Sequence, residues 1–271
     1  MRDIDEKLAR LRRAIRDLGS AVVAFSAGVD STFLLRVAHD MLGDRAVAVT
    51  MRLRSLPAGE LGEASGFCRA NGIRHAIIDC DELGIPGFAE NPPDRCYACK
   101  KSVFSKIAAY AREQGLAAVL EGSNTDDDGD YRPGRRAIAE LGVMSPLHDA
   151  GLSKSEIRIL SREMGLATAE KPSFACLASR FPYGERITAE GLEMVGRAEE
   201  WLRATFPGLG QLRVRCIAGR VARLEVLPED MGLITANAAE VDKALRSFGF
   251  SCASLDLRGY RTGSMNEMLK Q

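Results

Sequence analysis

The stretch SAVVAFSAGVDSTFLLRVAHDMLG, residues 20–43, carries an apolar run straight into a short turn of small residues and then into a helical pattern. Its first part reads as a strand, after which Phe33, Leu34, Val37, Ala38 and Met41 recur on one helix face. Working outward, RAVAVTMR is a second strand, GELGEASGFCRANG a helix, IRHAIID a third strand, residues 97–114 a helix, and LAAVLEG a fourth strand. Strands alternating with helices of this length need right-handed crossovers, which predicts an α/β fold with a doubly wound parallel sheet. From Thr188 the order changes to a long helix through Phe206, strands at QLRVRCI and VARLEVL, a helix over 238–248 and a strand at SCASLDLRGY. That succession predicts a smaller C-terminal α+β domain. The expected division is 1–170 for the first domain, 171–187 for an interdomain segment, and 188–271 for the second domain.

A chain of 271 residues is long enough for two such domains, and 46% hydrophobic with 27% charged residues fits a globular protein. Lys plus Arg and Asp plus Glu both number 37. Binding to a polyanion draws on a basic excess, so no nucleic-acid partner is expected. MRDIDEKLARLRRAIRDLG has the period of an amphipathic helix, not of a signal peptide, and no apolar run approaches the roughly 18 residues of a membrane span. The 7 cysteines are odd in number and scattered, which favours reduced thiols and a cytoplasmic location.

The turn FSAGVDS places small residues and free backbone N–H groups at a helix start, where a phosphate is stabilised. It lacks the Gly-Lys-Ser/Thr of a Walker loop. It resembles instead the Ser-Gly-Gly-x-Asp-Ser pyrophosphate loop (PP-loop) of N-type ATP pyrophosphatases. The resemblance implies that Ser26, Gly28, Asp30 and Ser31 hold pyrophosphate, with Asp30 a magnesium partner. Ala27 stands where that family has a glycine, so the backbone there is expected to avoid conformations only glycine tolerates.

Four further segments carry candidate chemistry. NPPDRCYACKK spaces Cys96 and Cys99 as a redox pair, half a metal site, or packing at a helix start, and Lys100 and Lys101 reach toward nucleotide phosphates. EGSNTDDDGDYRPG follows the fourth strand at its carboxyl end, where doubly wound sheets bind ligands. There Gly122 and Asn124 allow close approach and polar contact, and Asp126, Asp127 and Asp128 suit either a metal or solvation. LSKSEIRILS has a capping-box pattern, with Ser153 three residues before Glu156. In LRVRCIAGRVARLEV, Arg213 and Arg215 share a strand face as a forked phosphate or carboxylate site or a solvent row, with Glu225 a partner for one of them. KPSFACLASRFPYG leaves Cys176 open to three readings: packing, metal ligand or reagent. Lys171 and Arg180 are its neighbouring cations.

Taken in order, SAGVDS, NPPDRCYACKK, SNTDDDGDYRPG, SPLHDAGLSKSEIRILS, KPSFACLASRFPYGERIT, LRVRC and LDLRGYRTGSMNE resemble the successive motifs of the LarE family, the ATP-dependent sacrificial sulfur transferases of the PP-loop superfamily. The resemblance spans nearly the whole chain. It implies conversion of the carboxylates of a pyridinium-3,5-biscarboxylic acid mononucleotide to thiocarboxylates, in nickel-pincer nucleotide biosynthesis. ATP adenylates a carboxylate, Cys176 displaces AMP to form a thioester, and β-elimination leaves dehydroalanine on the protein. Lys101, Gly122 and Asn124 join the loop residues in binding ATP, and Ser179, Arg180, Arg213 and Arg215 hold the mononucleotide phosphate. Members with further cysteines beside this one hold an iron–sulfur cluster; ACLASRFPYG has only Cys176, so no cluster is expected, although folding could bring Cys216 close. The family likeness also implies a homo-oligomer, a hexamer. The base for elimination is not identified. A transfer-RNA thiolation enzyme or an amide-forming synthetase of the same superfamily, and a nucleotide sensor, are the rival readings.

Overall fold

The computed structural model describes residues 3–57, 59–129, 133–172, 175–261 and 263–264. Residues 130–132 of the acidic loop, 173 and 174 of the cysteine segment, and 265–271 of the last motif lie outside the described residues. The chain divides into two compact units: residues 1–53, 59–80 and 96–174 form one, and 54–58, 81–95 and 175–271 the other.

The first unit runs α1 (Asp3–Asp17), β1 (Ala21–Ala24), α2 (Val29–Leu42), β2 (Ala46–Arg52), α3 (Glu60–Ala70), β3 (Arg74–Asp79), α4 (Arg95–Glu113), β4 (Ala118–Leu120), α5 (Gly134–Glu140), α6 (Pro146–Asp149) and α7 (Lys154–Glu163). Its strands are all parallel in the order β3-β2-β1-β4. Burial dictates their composition: Ala21, Val22 and Val23 and the partners Ala46, Val47 and Ala48 are shielded from solvent, as sheets covered on both faces require. Helices α1 and α7 pack on α2, burying Leu11 and Ile15, Phe33, Leu34 and Val37, and Ile157 and Leu160 in one core. The capping box forms as the sequence predicts, with Ser153 N–H donating to Glu156 Oε2 at 2.8 Å and Glu156 N–H to Ser153 Oγ at 3.3 Å.

The strand order reverses between β1 and β4. Both strands point the same way, so the turn after β1 and the loop after β4 leave the sheet side by side at a topological switch point, where open α/β sheets bind ligands.

In the second unit, α8 (Ala189–Thr205) packs on β5 (Leu212–Ile217), which pairs antiparallel with β6 (Val221–Val226). After α9 (Met231–Ala236) and α10 (Ala238–Ser247), β7 (Cys252–Leu255) pairs parallel with β6. The sequence predicts a strand through Tyr260, but β7 stops at Leu255 because the chain turns: Gly259 N–H donates to Asp256 O at 2.9 Å. Gly259 has φ +68, and a Cβ there would lie 2.8 Å from Val226 O, so only glycine fits.

Candidate functional site

The turn from β1 into α2 holds itself together with its own hydroxyls. Ser26 Oγ and Ser31 Oγ lie 3.1 Å apart, Ser31 Oγ donates to Gly28 O at 3.2 Å, and Ser26 N–H donates to Ser31 Oγ at 3.3 Å. Gly28 caps α2 without a side-chain bond. Ala27 has φ +55, in the left-handed region, contrary to the expectation that its backbone avoids glycine-like conformations. The turn geometry outweighs the cost of about 1–2 kcal/mol for an L-residue there. Gly122, from the loop after β4, abuts this turn: a Cβ would sit 3.2 Å from Ser31 N and 3.4 Å from Asp30 Cβ.

Asp30 is the polar centre of this region. Its Oδ2 accepts from Lys154 Nζ, while Oδ1 is buried with no hydrogen-bond partner among the described residues. Burial pushes its carboxyl above the ordinary value, opposed by the charge and hydrogen bond of Lys154. A second lysine, Lys171, donates to Ala27 O at 3.1 Å and pairs with Glu63 at 2.6 Å. These are the lysines at the turn. Lys101 lies on α4, donating to Tyr97 Oη at 2.9 Å and Glu140 Oε2 at 3.0 Å, and makes no recorded contact with the turn among the described residues. Nothing local in the sequence marks Lys154 for this contact, which spans 124 positions.

The acidic loop is internally bonded. Asn124, 4% exposed, accepts from Asp126 N–H at 3.0 Å, and its own N–H donates to Asp127 Oδ2 at 3.0 Å. Asp126 Oδ2 accepts from Lys154 N–H at 3.2 Å, and Asp128 meets Arg135 at 2.6 Å and His148 at 3.0 Å. Among the described residues no group of three His, Cys, Asp or Glu side chains is placed to hold a metal. Asp126 and Asp128 are exposed, whereas Asp127 is buried and tied to Asn124.

In the second unit Cys176 is exposed and begins a short 3-10 turn, Leu177–Arg180. Its carbonyl accepts from Ser179 N–H at 2.9 Å, Ser179 Oγ at 2.8 Å and Arg180 Nη1 at 3.5 Å. Arg180 is fully buried and bidentate to Glu199, at 2.7 and 2.9 Å. Glu199 thus engages Nε and Nη2 of Arg180 and leaves Nη1 for other acceptors. Arg215, on β5, donates to Ser179 O at 2.7 Å, Glu225 Oε2 at 2.7 Å and Ser264 Oγ at 2.9 Å, and leaves its Nε buried without a partner among the described residues. Arg213 donates to Leu212 O at 2.7 Å and lies over the Tyr260 ring at 5.1 Å. Burial first, then the neighbouring Arg180, pushes the Arg213 guanidinium down to about 10, against the pull of Glu199. Among its described residues this unit buries Arg95, Arg180, Arg213 and Arg215 alongside the carboxylates Glu82, Glu199 and Glu225.

The other thiols separate cleanly. Cys216 is buried, donates to Gly219 O at 3.2 Å and is pushed up to about 11 by burial. Cys68 is likewise buried and raised to about 11, while Cys96 stands exposed in the first turn of α4 with Cys99.

No protein-family model matches the chain. It is 40% identical over 268 residues to an uncharacterised protein of Synechocystis sp., covering 98% of this chain and 99% of that one. It is 35% identical over 270 residues to the pyridinium-3,5-bisthiocarboxylic acid mononucleotide synthase of Lactiplantibacillus plantarum, covering 99% of this chain and 97% of that protein. The tRNA-specific 2-thiouridylase MnmA of Agrobacterium fabrum is 32% identical over 194 residues but shares only 55% of this chain and 48% of its own. The likeness to the thiouridylase stops partway, whereas that to the mononucleotide synthase runs end to end, and the chain belongs to the LarE family of sulfur transferases.

Proposed function

We propose that this protein converts the carboxylates of a pyridinium-3,5-biscarboxylic acid mononucleotide to thiocarboxylates, with Cys176 as the consumed sulfur donor. The observation that carries the reading is an exposed cysteine whose carbonyl is fixed by Ser179 and Arg180, within a unit that buries more arginine than carboxylate.

The first unit supports activation. The N–H groups and hydroxyls around Ser26, Gly28 and Ser31 suit the pyrophosphate that leaves when the substrate carboxylate attacks the α-phosphorus of ATP. Lys154, Lys171 and Gly122 border the same region; we assign Asn124, in the same loop as Gly122, to ATP as well. Magnesium is held by one or two carboxylates plus phosphate oxygens, and the free, buried Oδ1 of Asp30 fits that demand. When bound, the ion neutralises phosphate charge.

The second unit supports transfer. The Cys176 thiolate attacks the acyl carbon of the adenylate, a carbon–sulfur bond forms and AMP departs. A base then takes the Cys176 α-proton, the Cβ–S bond breaks with its electron pair on sulfur, and thiocarboxylate and dehydroalanine result. Arg213 and Arg215, two cations on one face of β5, suit the dianionic phosphate of the substrate. We extend the reading to a cytoplasmic homo-oligomer, a hexamer by family likeness, which native mass spectrometry measures directly.

The test is intact-protein mass spectrometry after incubation with ATP, magnesium and the dicarboxylate mononucleotide. The expected result is loss of one hydrogen sulfide per chain, mapped to Cys176, with no product from Cys176→Ala. Thiolated product alongside an unchanged protein mass would overturn the sacrificial step.

A further inference from the structure

We propose that Ser179 and Arg180 form an oxyanion site for the Cys176 carbonyl, stabilising the enolate through which the Cβ–S bond breaks. The proposal deepens, and rests on, the reading of Cys176 as sulfur donor.

Three donors converge on one oxygen: Ser179 N–H at 2.9 Å, Ser179 Oγ at 2.8 Å and Arg180 Nη1 at 3.5 Å. Arg180 Nη1 also donates to Ser179 Oγ at 2.8 Å. Because that oxygen already accepts from the guanidinium, its own proton is committed to the Cys176 carbonyl, and the chain of bonds is charge-assisted. A 3-10 turn accounts for the Ser179 N–H alone. It does not account for a guanidinium with 0% exposure brought to the same oxygen. The far side of the peptide is held as well. Leu177 N–H donates to Ser55 O at 2.8 Å, and Ser55 N–H donates to Oε1 of the fully buried Glu82 at 2.6 Å. The Cys176–Leu177 peptide is therefore clamped at both its N–H and its carbonyl.

Elimination places charge on this carbonyl. Removing the α-proton leaves an electron pair shared between Cα and the carbonyl oxygen. That pair then becomes the Cα–Cβ double bond as the Cβ–S pair departs with sulfur. The proton passes to a base from solvent, to which Cys176 is open. Donors already aimed at an oxygen where charge develops need no reorganisation, and removing one such donor typically slows a reaction by about 10²–10³-fold. Ser179 and Arg180 thus act on the reacting residue itself, a role distinct from substrate anchoring.

The experiment uses the full chain without ATP or substrate. A dihalide that alkylates a thiol twice turns the exposed Cys96, Cys176 and Cys252 into cyclic sulfonium adducts, and hydroxide then expels a cyclic thioether to leave dehydroalanine at each. Peptide mass mapping over time gives the three rates in one sample. Elimination at Cys176 is expected to outpace Cys96 and Cys252 by at least about tenfold, to fall to their rate in Ser179→Ala, and to recover in Ser179→Thr, which keeps the hydroxyl. Circular dichroism checks that each variant is folded. Equal rates at the three cysteines, or an unchanged Cys176 rate in Ser179→Ala, would overturn the proposal. Failure of the sulfur-donor reading shows separately, as no loss of hydrogen sulfide from the wild-type protein with its substrates.

Discussion

Replacing Gly122 by alanine tests whether the loop after β4 sets the shape of the phosphate turn. The added methyl would stand 3.2 Å from Ser31 N, 3.4 Å from Asp30 C and 3.4 Å from Asp30 Cβ. Two of these are backbone atoms in the first turn of α2, so no flexible side chain can swing aside. Either the loop lifts or the turn moves by a few tenths of an ångström. Overpacking of this kind costs about 1–3 kcal/mol. The same movement displaces the N–H groups around Ser31, so pyrophosphate affinity falls by about tenfold, equivalent to about 1.4 kcal/mol. Urea denaturation with and without pyrophosphate measures both effects, since a ligand that binds only the folded state raises its stability with concentration over Kd. Gly66→Ala is the control. Gly66 lies within α3 with nothing within 4 Å of a new Cβ, so that variant gains roughly 0.5–1 kcal/mol and keeps its pyrophosphate affinity. A Gly122→Ala protein as stable as wild type, with unaltered pyrophosphate protection, would refute the reasoning.

Two further outcomes follow from the charged groups. Glu199→Ala strips the bidentate partner from fully buried Arg180 and the acceptor of Val214 N–H, so unfolding free energy falls by about 3–5 kcal/mol, read from the denaturant midpoint; a loss below about 1 kcal/mol would mean the guanidinium finds water instead. Asp30 titrates above its ordinary 3.8, chiefly through burial, so the folded state binds its proton more tightly than the unfolded chain does. Its contribution to stability is therefore present at low pH and lost as pH rises through the window just above 3.8. Asp30→Asn should flatten that part of the stability profile and Lys154→Met should deepen the loss; a profile identical in all three proteins contradicts the assignment.

The sequence made the architecture of both sheets legible because the apolar period changes abruptly at local signals. The strand pattern ends at Ser26, the helical pattern begins after Gly28, and Ser153 with Glu156 announces α7. What stayed hidden depends on contacts distant in sequence. Lys154 reaches Asp30 across 124 positions and Lys171 reaches Ala27 across 144, so neither lysine carries a local mark of its role. Lys101, next to the C-x-x-C motif, donates to Tyr97 and Glu140, partners that its sequence neighbours do not announce. Strand alternation placed Arg213 and Arg215 on one face, and Glu225 is the cross-strand partner of Arg213, yet its carboxylate pairs diagonally with Arg215. Period fixes a face; side-chain length decides the partner.

The arginines of the second unit make sense only if their charge is used. A buried cation is tolerable when a carboxylate answers it, and Arg180 has that answer in Glu199. Burial and the neighbouring Arg180 push the Arg213 guanidinium down to about 10, and the Nε of Arg215 is buried without a partner among the described residues. Apolar residues of the same volume would fold at lower electrostatic cost, so folding alone gives no reason for this composition. Each guanidinium answers a separate demand. Arg180 spends its fork on Glu199 and turns Nη1 toward the carbonyl oxygen of Cys176. Arg215 spends its terminal donors on Ser179, Glu225 and Ser264 and keeps a buried Nε without a partner among the described residues. Lysine could supply the same charge, but its single ammonium could not pair with Glu199 through two parallel bonds and still meet the Cys176 carbonyl.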